Sequence, residues 1–372
     1  MKRIIFWMFV LVVVFVAVPT TGQQRVLSVC DFEPPESRIS NLSLQGSFNW
    51  YDGPFADDRN RAISAGFTAD YSGLYNSASL GRQFDARTEL RGANSGWTID
   101  FTGSGSLQSF FDADLFGVGT FGITTSDLSV LEVDLTAGIG KGRFRDVTPL
   151  ALAISIQNAL LDLGELLAPV SNDTLLDLAR IIGEVGPTDN ERIISIADRL
   201  KTTNLIQGGE PDVRDLLAIE NALAATDATR LCGHDVQARI GASAMLLPKF
   251  SIAATGVLLV HYAVVPDPVS QFEATAEAKA RLAHPEQLNV DADVSYARRL
   301  PEGWTARAEY RLHIDRMWSD LSATTLSHAL SASLMTKIFG AVGLSLVADV
   351  SYKSGDEEFT TSLTVHLEAD LF

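Results

Sequence analysis

Apolar and polar side chains alternate at every second position in many segments of this chain. The first clear segment sets Leu42, Leu44 and Trp50 against Ser43 and Asn49. Successive side chains of a β-strand point to opposite faces of the sheet, so this pattern predicts strands with one apolar and one polar face. The polar face often carries full charges. Behind a secretion signal, many such strands favour a barrel whose apolar face meets lipid over a soluble sandwich.

The first residues have the layout of a secretion signal. Lys2 and Arg3 precede an apolar run at residues 4–18, and small residues follow up to Gly22. This order predicts a signal peptide at residues 1–22 that is removed on export. A run of this length is short for a membrane-spanning helix, although a retained anchor is the alternative.

Charge and hydropathy narrow the possible classes further. The formal net charge is -17, which argues against nucleic acid as a partner. No later segment approaches about 18 uninterrupted apolar residues, so none of them is predicted to be a membrane-spanning helix. A membrane protein of this composition must therefore close its strands into a barrel, because only helices and barrels satisfy their backbone groups in lipid.

We predict a mainly β protein, an antiparallel transmembrane β-barrel of about fourteen strands with an inserted all-α subdomain. Its parts are the signal peptide at 1–22, a lead at 23–38, barrel strands at 39–145, a helical insert at 146–231 and further strands at 232–372. The predicted strands are 40–51, 61–71, 83–91, 97–108, 115–124, 129–140, 235–246, 250–264, 270–283, 287–298, 303–315, 325–337, 341–352 and 359–371.

The insert between the two groups of strands has a different period. Leu152, Ile156, Leu160 and Leu163 fall at helical spacing, and capping residues divide the segment into four helices. The insert follows an even-numbered strand, so a periplasmic N-terminus places it on the periplasmic side. It is predicted either to plug or gate the lumen or to bind a periplasmic partner.

The chain has two cysteines, Cys30 and Cys232. In an exported protein such a pair can close a disulfide, which here would tie the lead to the point where strands resume. Two separate thiols are the alternative.

Aromatic residues near strand ends predict a belt at the lipid headgroups, where amphipathic rings are favoured. Aromatics that cover a soluble core near turns are the alternative. The candidate interface residues are Trp50, Tyr71, Trp97, Tyr296, Trp304 and Tyr352.

The last segment, residues 359–371, alternates like the others and is followed by the terminal Phe372. In this respect the chain resembles bacterial outer-membrane β-barrel proteins of the porin-like class, whose final strand typically ends in an aromatic residue. The resemblance implies that Phe372 is part of an assembly signal for barrel-insertion machinery. It also implies a place in the outer membrane, in contact with its lipid.

The predicted inward face carries ladders of charge. In a water-filled lumen these charges would select among ions and polar solutes, whereas cross-strand pairing that merely fills the interior is the alternative. The candidates for lumen and selectivity residues are Asp85, Arg87, Glu89, Arg91, Asp100, Glu132, Asp134, Glu277, Lys279, Asp291, Asp293, Arg307, Glu309 and Arg311.

We expect that the protein has no enzymatic activity and that it binds no cofactor or metal. Residues 117–122 spell a dinucleotide fingerprint, but a strand pattern follows where the motif requires a helix. His328 lies on the predicted outward face, where a lipid-hydrolysing site would need a serine beside it. Ser327 and Ser331 belong to the opposite face.

The sequence therefore predicts a porin-like channel for small hydrophilic solutes, with the helical insert at one mouth. The alternative is a non-conducting barrel that anchors or assembles envelope components and binds a partner through the insert.

Overall fold

A computed structural model shows the architecture of the chain. It describes residues 27–34, 36–51, 62–93, 96–127, 129–184, 186–224, 229–281, 287–300, 303–317, 324–339, 342–354 and 360–370. The predicted signal peptide and Phe372 lie outside the described residues.

Fourteen antiparallel strands form one closed sheet, and each strand pairs with its neighbours in the chain. The seam joins β1 to β14, where Leu44 lies opposite Ala369. The strands are β1 Ser37–Tyr51, β2 Ala62–Asn76, β3 Leu80–Ala93, β4 Gly96–Phe110, β5 Leu115–Ser126, β6 Val130–Asp146, β7 Leu231–Leu247, β8 Ser251–Val264, β9 Ser270–Arg281, β10 Gln287–Arg299, β11 Thr305–Met317, β12 Thr324–Phe339, β13 Val342–Lys353 and β14 Thr360–Asp370.

The predicted number and antiparallel arrangement of the strands are confirmed, and the differences lie at strand ends. β2 continues past Tyr71 to Asn76. Gly73 and Tyr75 keep the outward positions of the alternation, but Gly73 has no side chain that would reveal this in the sequence. β6 continues to Asp146 and β7 already begins at Leu231. β5 forms in spite of its glycines, since both of its neighbours pair with it along most of its length.

Four helices lie between β6 and β7: α1 Thr148–Asp162, α2 Asn172–Gly183, α3 Asp189–Lys201 and α4 Val213–Ala224. The hydroxyl of Ser171 caps α2 by accepting a hydrogen bond from the backbone N–H of Thr174. Thr188 and Glu191 form a capping box on α3, which satisfies two backbone donors that the helix would otherwise leave unpaired. None of the helices in the described part of the chain is long and apolar enough to cross a membrane.

The helices pack on one another and form what we call the helical cluster, residues 148–224. Val29 and Phe32 of the N-terminal segment join the same apolar core, as do Cys232 at the start of β7 and Val265 after β8. The cluster therefore sits at one end of the barrel, which we call the helix-bearing mouth. Its fully buried side chains include Leu150, Ile156, Leu160, Leu178, Ile196, Leu200 and Ile219.

A disulfide links the N-terminal segment to β7. The sulfur atoms of Cys30 and Cys232 are bonded, and the two Cα atoms are 5.4 Å apart. Cys30 belongs to a 3-10 helix at Val29–Asp31 that Ser28 caps. The bond fixes this segment against the helix-bearing mouth.

Candidate functional site

Hydrogen bonds that pass over intervening strands identify the inner face of the barrel. Lys279 Nζ on β9 lies 2.8 Å from Asp134 Oδ2 on β6, although β7 and β8 separate the two strands. Such a bond is possible only on the concave side of the wall. Residues directly opposite one another in an antiparallel pair share a face, so the register extends this assignment around the barrel.

The register places all the predicted lumen residues on the inner face. The pairs from Asp134 lead through Gly122 and Ser104 to Asp85 in one direction. In the other direction, Lys279 leads through Asn289 to Asp315. The same alternation includes Arg87, Glu89, Arg91, Asp100, Glu132, Glu277, Asp291, Asp293, Arg307, Glu309 and Arg311.

Apolar side chains occupy the outer face over the same strands. Leu135, Ile139 and Ile240 are 60%, 65% and 76% exposed. Soluble proteins rarely leave so many large apolar residues contiguous and uncovered. The outer wall therefore has the surface that hydrocarbon requires.

A group of ion pairs on the inner wall joins β6, β7 and β9 over the strands between them, and we call it the crossing cluster. It contains the Lys279–Asp134 contact and a contact between Arg281 and Glu132. Arg239 Nη2 on β7 lies 3.1 Å from Glu277 Oε2. These side chains reach over β8, and the inward Thr255 and Val257 of that strand are buried.

Glycines allow the wall to bend sharply beneath the crossing cluster. A Cβ atom added to Gly138 on β6 would meet the carbonyl oxygen of Ala238, and one added to Gly241 on β7 would meet that of Leu135. No larger residue fits at either position without moving the neighbouring backbone. The backbones of β6 and β7 therefore approach each other closely beneath the crossing cluster.

Strands β10 and β11 carry a second charged group, which runs along the wall instead of across it. Arg311 Nε lies 2.5 Å from Glu309 Oε1 and 3.8 Å from Asp293 Oδ1. Arg307 Nη2 contacts Glu309 at 3.3 Å, and His313 Nδ1 lies 2.6 Å from Asp291. These contacts join residues of the same strand or of the two adjacent strands.

The first strands hold a third group of the predicted residues. Arg91 Nε lies 2.7 Å from Glu89 Oε1. Arg87 lies 3.7 Å from Asp70, which is directly opposite it on β2. Two further carboxylates accept hydrogen bonds from neutral groups, Asp85 from Gln83 at 2.9 Å and Asp100 from Ser126 at 2.9 Å.

Sequence reasoning missed one polar group of the inner face. Gln108 on β4 and Gln237 on β7 both donate to Asp235 Oδ2, at 3.1 Å and 2.6 Å. Asp235, Gln237 and Arg239 occupy alternate positions at the start of β7, which is the signal that could have identified them. Their partners lie on distant strands, and alternation within one strand does not reveal those.

The predicted interface aromatics divide between the two ends of the strands. Trp97 and Tyr352 lie at the mouth opposite the helices, whereas Trp304 lies at the helix-bearing mouth, immediately before β11. Tyr296 lies in the last third of β10 and donates a hydrogen bond to Ser270. Trp50 occupies the next-to-last position of β1, and its side chain is outside the described part.

Tyr71 lies on the outer face, but farther from a strand end than the sequence pattern predicts. It lies five residues before the end of β2, and its ring covers Gly73 on the outer wall. Gly73 interrupts the apolar series two residues later, so the sequence pattern predicts a strand end at this tyrosine.

The outward His328 packs between two tyrosines. Its ring centroid lies 6.5 Å from that of Tyr310 and 5.4 Å from that of Tyr352, and both contacts are edge-on. Ser327 and Ser331 pair with His313 and Glu309 of the inner face. This arrangement belongs to an aromatic patch on the outer wall and brings no serine of β12 to the histidine.

The dinucleotide-like motif of the sequence does not have the surroundings that such a motif requires. Residues 117–122 lie within β5, and the chain continues into β6 without the helix that a dinucleotide motif requires. Among the described residues no group of three His, Cys, Asp or Glu side chains could hold a metal ion.

Comparison with known proteins places the similarity among bacterial outer-membrane proteins. One solved structure is a bacterial polysaccharide outer membrane secretin, with 8% identity, 89% of this chain and 97% of that chain covered, and a TM-score of 0.35. Another is OmpTdeltaL8, a loop deletion mutant of an outer membrane protein of Vibrio cholerae, with 8% identity, coverage of 91% and 100%, and a TM-score of 0.32. A third is Omp33 of Acinetobacter baumannii, with 10% identity, coverage of 90% and 95%, and a TM-score of 0.30.

No family model matches the chain, and no curated protein sequence matches it. The structural neighbours belong to the class that the sequence resembles, bacterial outer-membrane β-barrels, and no specific family is identified. At such low identities and TM-scores, the description of the chain as a barrel rests on its own strand pairing.

Proposed function

We propose that the protein is a porin-like channel that passes small hydrophilic solutes through the bacterial outer membrane. The observation that carries this proposal is the division of one closed wall into an apolar outer face and a charged inner face. Only an aqueous interior lets so many ionised side chains remain solvated and only partly paired. No bond chemistry is required of any residue.

Selectivity in this proposal comes from the inner wall. Carboxylates outnumber cationic groups among the predicted lumen residues, so the lumen favours cations. The crossing cluster holds both signs of charge within one short segment of the inner wall. A passing ion meets Lys279 and Asp134 together, and each group offsets the field of the other.

The outer wall supports the membrane setting in this proposal. Strands of 11 to 17 residues, such as β14 and β6, are long enough to cross about 30 Å of hydrocarbon when tilted. Export through the signal peptide, and recognition of the final strand with Phe372 by barrel-insertion machinery, belong to the same proposal.

The helical cluster would narrow or regulate the helix-bearing mouth. Its apolar core includes Val265, which lies in the connection between β8 and β9. The cluster therefore contacts the barrel at a point beyond β6 and β7, the strands that flank it in the chain. Deletion of residues 147–229 should then enlarge the unit conductance. Unchanged current after the deletion would instead favour a separate docking module on the periplasmic side.

The direct test is conductance in planar lipid bilayers. Purified, refolded protein should produce stepwise currents that are larger for cations than for anions. If protein whose folding is verified by heat-dependent electrophoretic migration gives no stepwise currents, the proposal of a channel is contradicted.

One observation favours the alternative of an anchoring or assembly barrel. Leu163 and Leu167 beside α1, and Val213 and Leu217 on α4, are all exposed on the helical cluster. Such side chains suit a protein partner. A barrel that does not conduct but captures a periplasmic partner through these residues would support this second function.

A further inference from the structure

Two arginines and a tyrosine lie side by side on the outer wall at the helix-bearing mouth. Arg38 on β1 is opposite Tyr75 on β2, and Tyr75 is opposite Arg82 on β3. Each of the three lies within two residues of the end of its strand. Their sequence neighbours Leu74 and Gln83 belong to the inward row that contains Thr136, so the three residues themselves face outward.

Neither guanidinium has an ion-pair partner in the described part of the chain, and both are exposed. The Arg82 guanidinium carbon lies 4.9 Å from the centre of the Tyr75 ring, a cation–π contact that holds it over this ring. Uncompensated cations on a wall that faces lipid are unfavourable in hydrocarbon but favourable beside anionic headgroups. The position at the strand ends puts them at headgroup level.

An apolar trough begins at this basic pair and crosses the outer wall. An open groove of about 1080 Å³ is lined by outward residues that include Arg38, Arg82, Leu107, Phe121, Leu135 and Ile240, and by the inward-row residues between them, such as Ser106 and Thr120. The ring of Phe121 lies over Gly105, and a Cβ atom added to Gly119 would meet nothing within 4 Å. The trough therefore has a low floor of glycine between apolar walls.

The trough descends from the membrane surface toward the middle of the wall. Arg38 is the second residue of β1, whereas Ile240 lies nine residues beyond the start of β7. Strands of a barrel tilt by roughly 35–45°, so a row of opposite residues also climbs along the barrel axis. A molecule with its charge between the arginines can therefore lay an apolar tail along Leu107 toward Ile240.

We propose that this surface binds one anionic phospholipid from the leaflet on the helix-bearing side. Its phosphate lies between Arg38 and Arg82, where planar guanidinium groups can donate paired hydrogen bonds, and an acyl chain fills the trough. The proposal rests on the membrane setting of the proposed function. It does not require that the barrel conduct.

The test is native mass spectrometry of the full-length folded barrel in a neutral detergent. Dioleoyl phosphatidylglycerol is the anionic probe, and dioleoyl phosphatidylcholine is the zwitterionic probe with the same chains. Wild type should bind one phosphatidylglycerol about tenfold more tightly than phosphatidylcholine, the difference expected for one charge-assisted contact. The R38Q/R82Q variant should lose this preference, and each single variant should lose part of it.

The matched control is R298Q. Arg298 is also an exposed outward arginine next to the end of its strand at the same mouth, but it lies opposite Ser270 and Ala306 instead of another cation or an aromatic ring. This control should keep the phosphatidylglycerol preference. Equal losses in R298Q and R38Q/R82Q would overturn the proposed site, as would equal binding of both lipids by wild type.

Two further arms separate the parts of the site. G119L fills open space in the trough and should weaken both lipids while it preserves the preference between them. Inorganic phosphate should not displace bound phosphatidylglycerol at equal concentration; full displacement would show that the trough contributes nothing and refute it. Conductance of R38Q/R82Q should equal that of wild type, so failure of the lipid site and failure of the channel are distinguishable.

Discussion

Replacement of Lys279 by glutamine should make the channel more selective for cations. The lysine ammonium contacts Asp134 on the inner wall, so its removal leaves the carboxylate uncompensated. An ion that passes roughly 5 Å from the removed charge changes its energy by about 0.8 kcal/mol in water, a factor of about four. Cation and anion respond with opposite signs, so their permeability ratio changes about fifteenfold without screening.

Salt reduces this effect in a predictable way. With a Debye length of about 10 Å at 0.1 M, the expected change in the permeability ratio falls to about fivefold. At 1 M, where the Debye length is about 3 Å, the change should be less than about twofold. The measurement is the reversal potential across a planar bilayer under a fixed gradient of potassium chloride, repeated at both mean concentrations.

Three variants make the comparison decisive. D134N should shift selectivity toward anions by a similar factor, and the double variant K279Q/D134N should return close to wild type. K249Q removes the same charge from Lys249, in the connection between β7 and β8 outside the barrel wall, and should change little. Shifts of the same sign in K279Q and D134N, or no dependence on salt, would refute the crossing cluster as the selective segment.

Other predictions address stability. C30S/C232S should lower the denaturant midpoint, because the bond between Cys30 and Cys232 closes a loop with a sequence separation of 202. Closing such a loop lowers the conformational entropy of the unfolded chain and stabilises the fold by roughly 5 kcal/mol. An unchanged midpoint would argue against this entropic stabilisation. Gly241→Ala should cost about 1–3 kcal/mol through the clash with neighbouring backbone, seen as a lower temperature for loss of the fast-migrating folded form. A hydrogen bond from Arg199 holds the pKa of Asp177 below its ordinary value of 3.8, so its stabilisation is present above that pH and is lost as pH falls through the lower native value. Acid titration of helical circular dichroism in the full chain should show this loss, and D177N should remove that part of the pH dependence.

The strands could be predicted from sequence because apolar residues of the outer face alternate in each with polar residues of the inner face. In β10, for example, Leu288, Val290 and Tyr296 fall on the outer face as their alternation predicts. The ends of the strands were harder to predict, since Gly73 in β2 has no side chain that would indicate its face. In the helical insert, Ser171 supplies the cap of α2, which begins at Asn172.

Contacts across the lumen could not be predicted from the same pattern. Asp134 and Lys279 are separated by 145 residues, and their distance depends on how sharply the wall bends between their strands. That bend depends on Gly138 and Gly241, whose role is visible only once the neighbouring carbonyl groups are placed. Alternation therefore gives the face of a charge, and three-dimensional curvature decides its partner.

The bond between Cys30 and Cys232 also determines what a protease can release. Every peptide bond of the helical cluster lies between the two cysteines, so a single cut there opens a covalent ring and separates no fragments. A nicked molecule would keep its full mass until a reductant is added, and only then would it yield two pieces. An envelope protease could thus cut the segment at the mouth while both halves of the wall stay joined.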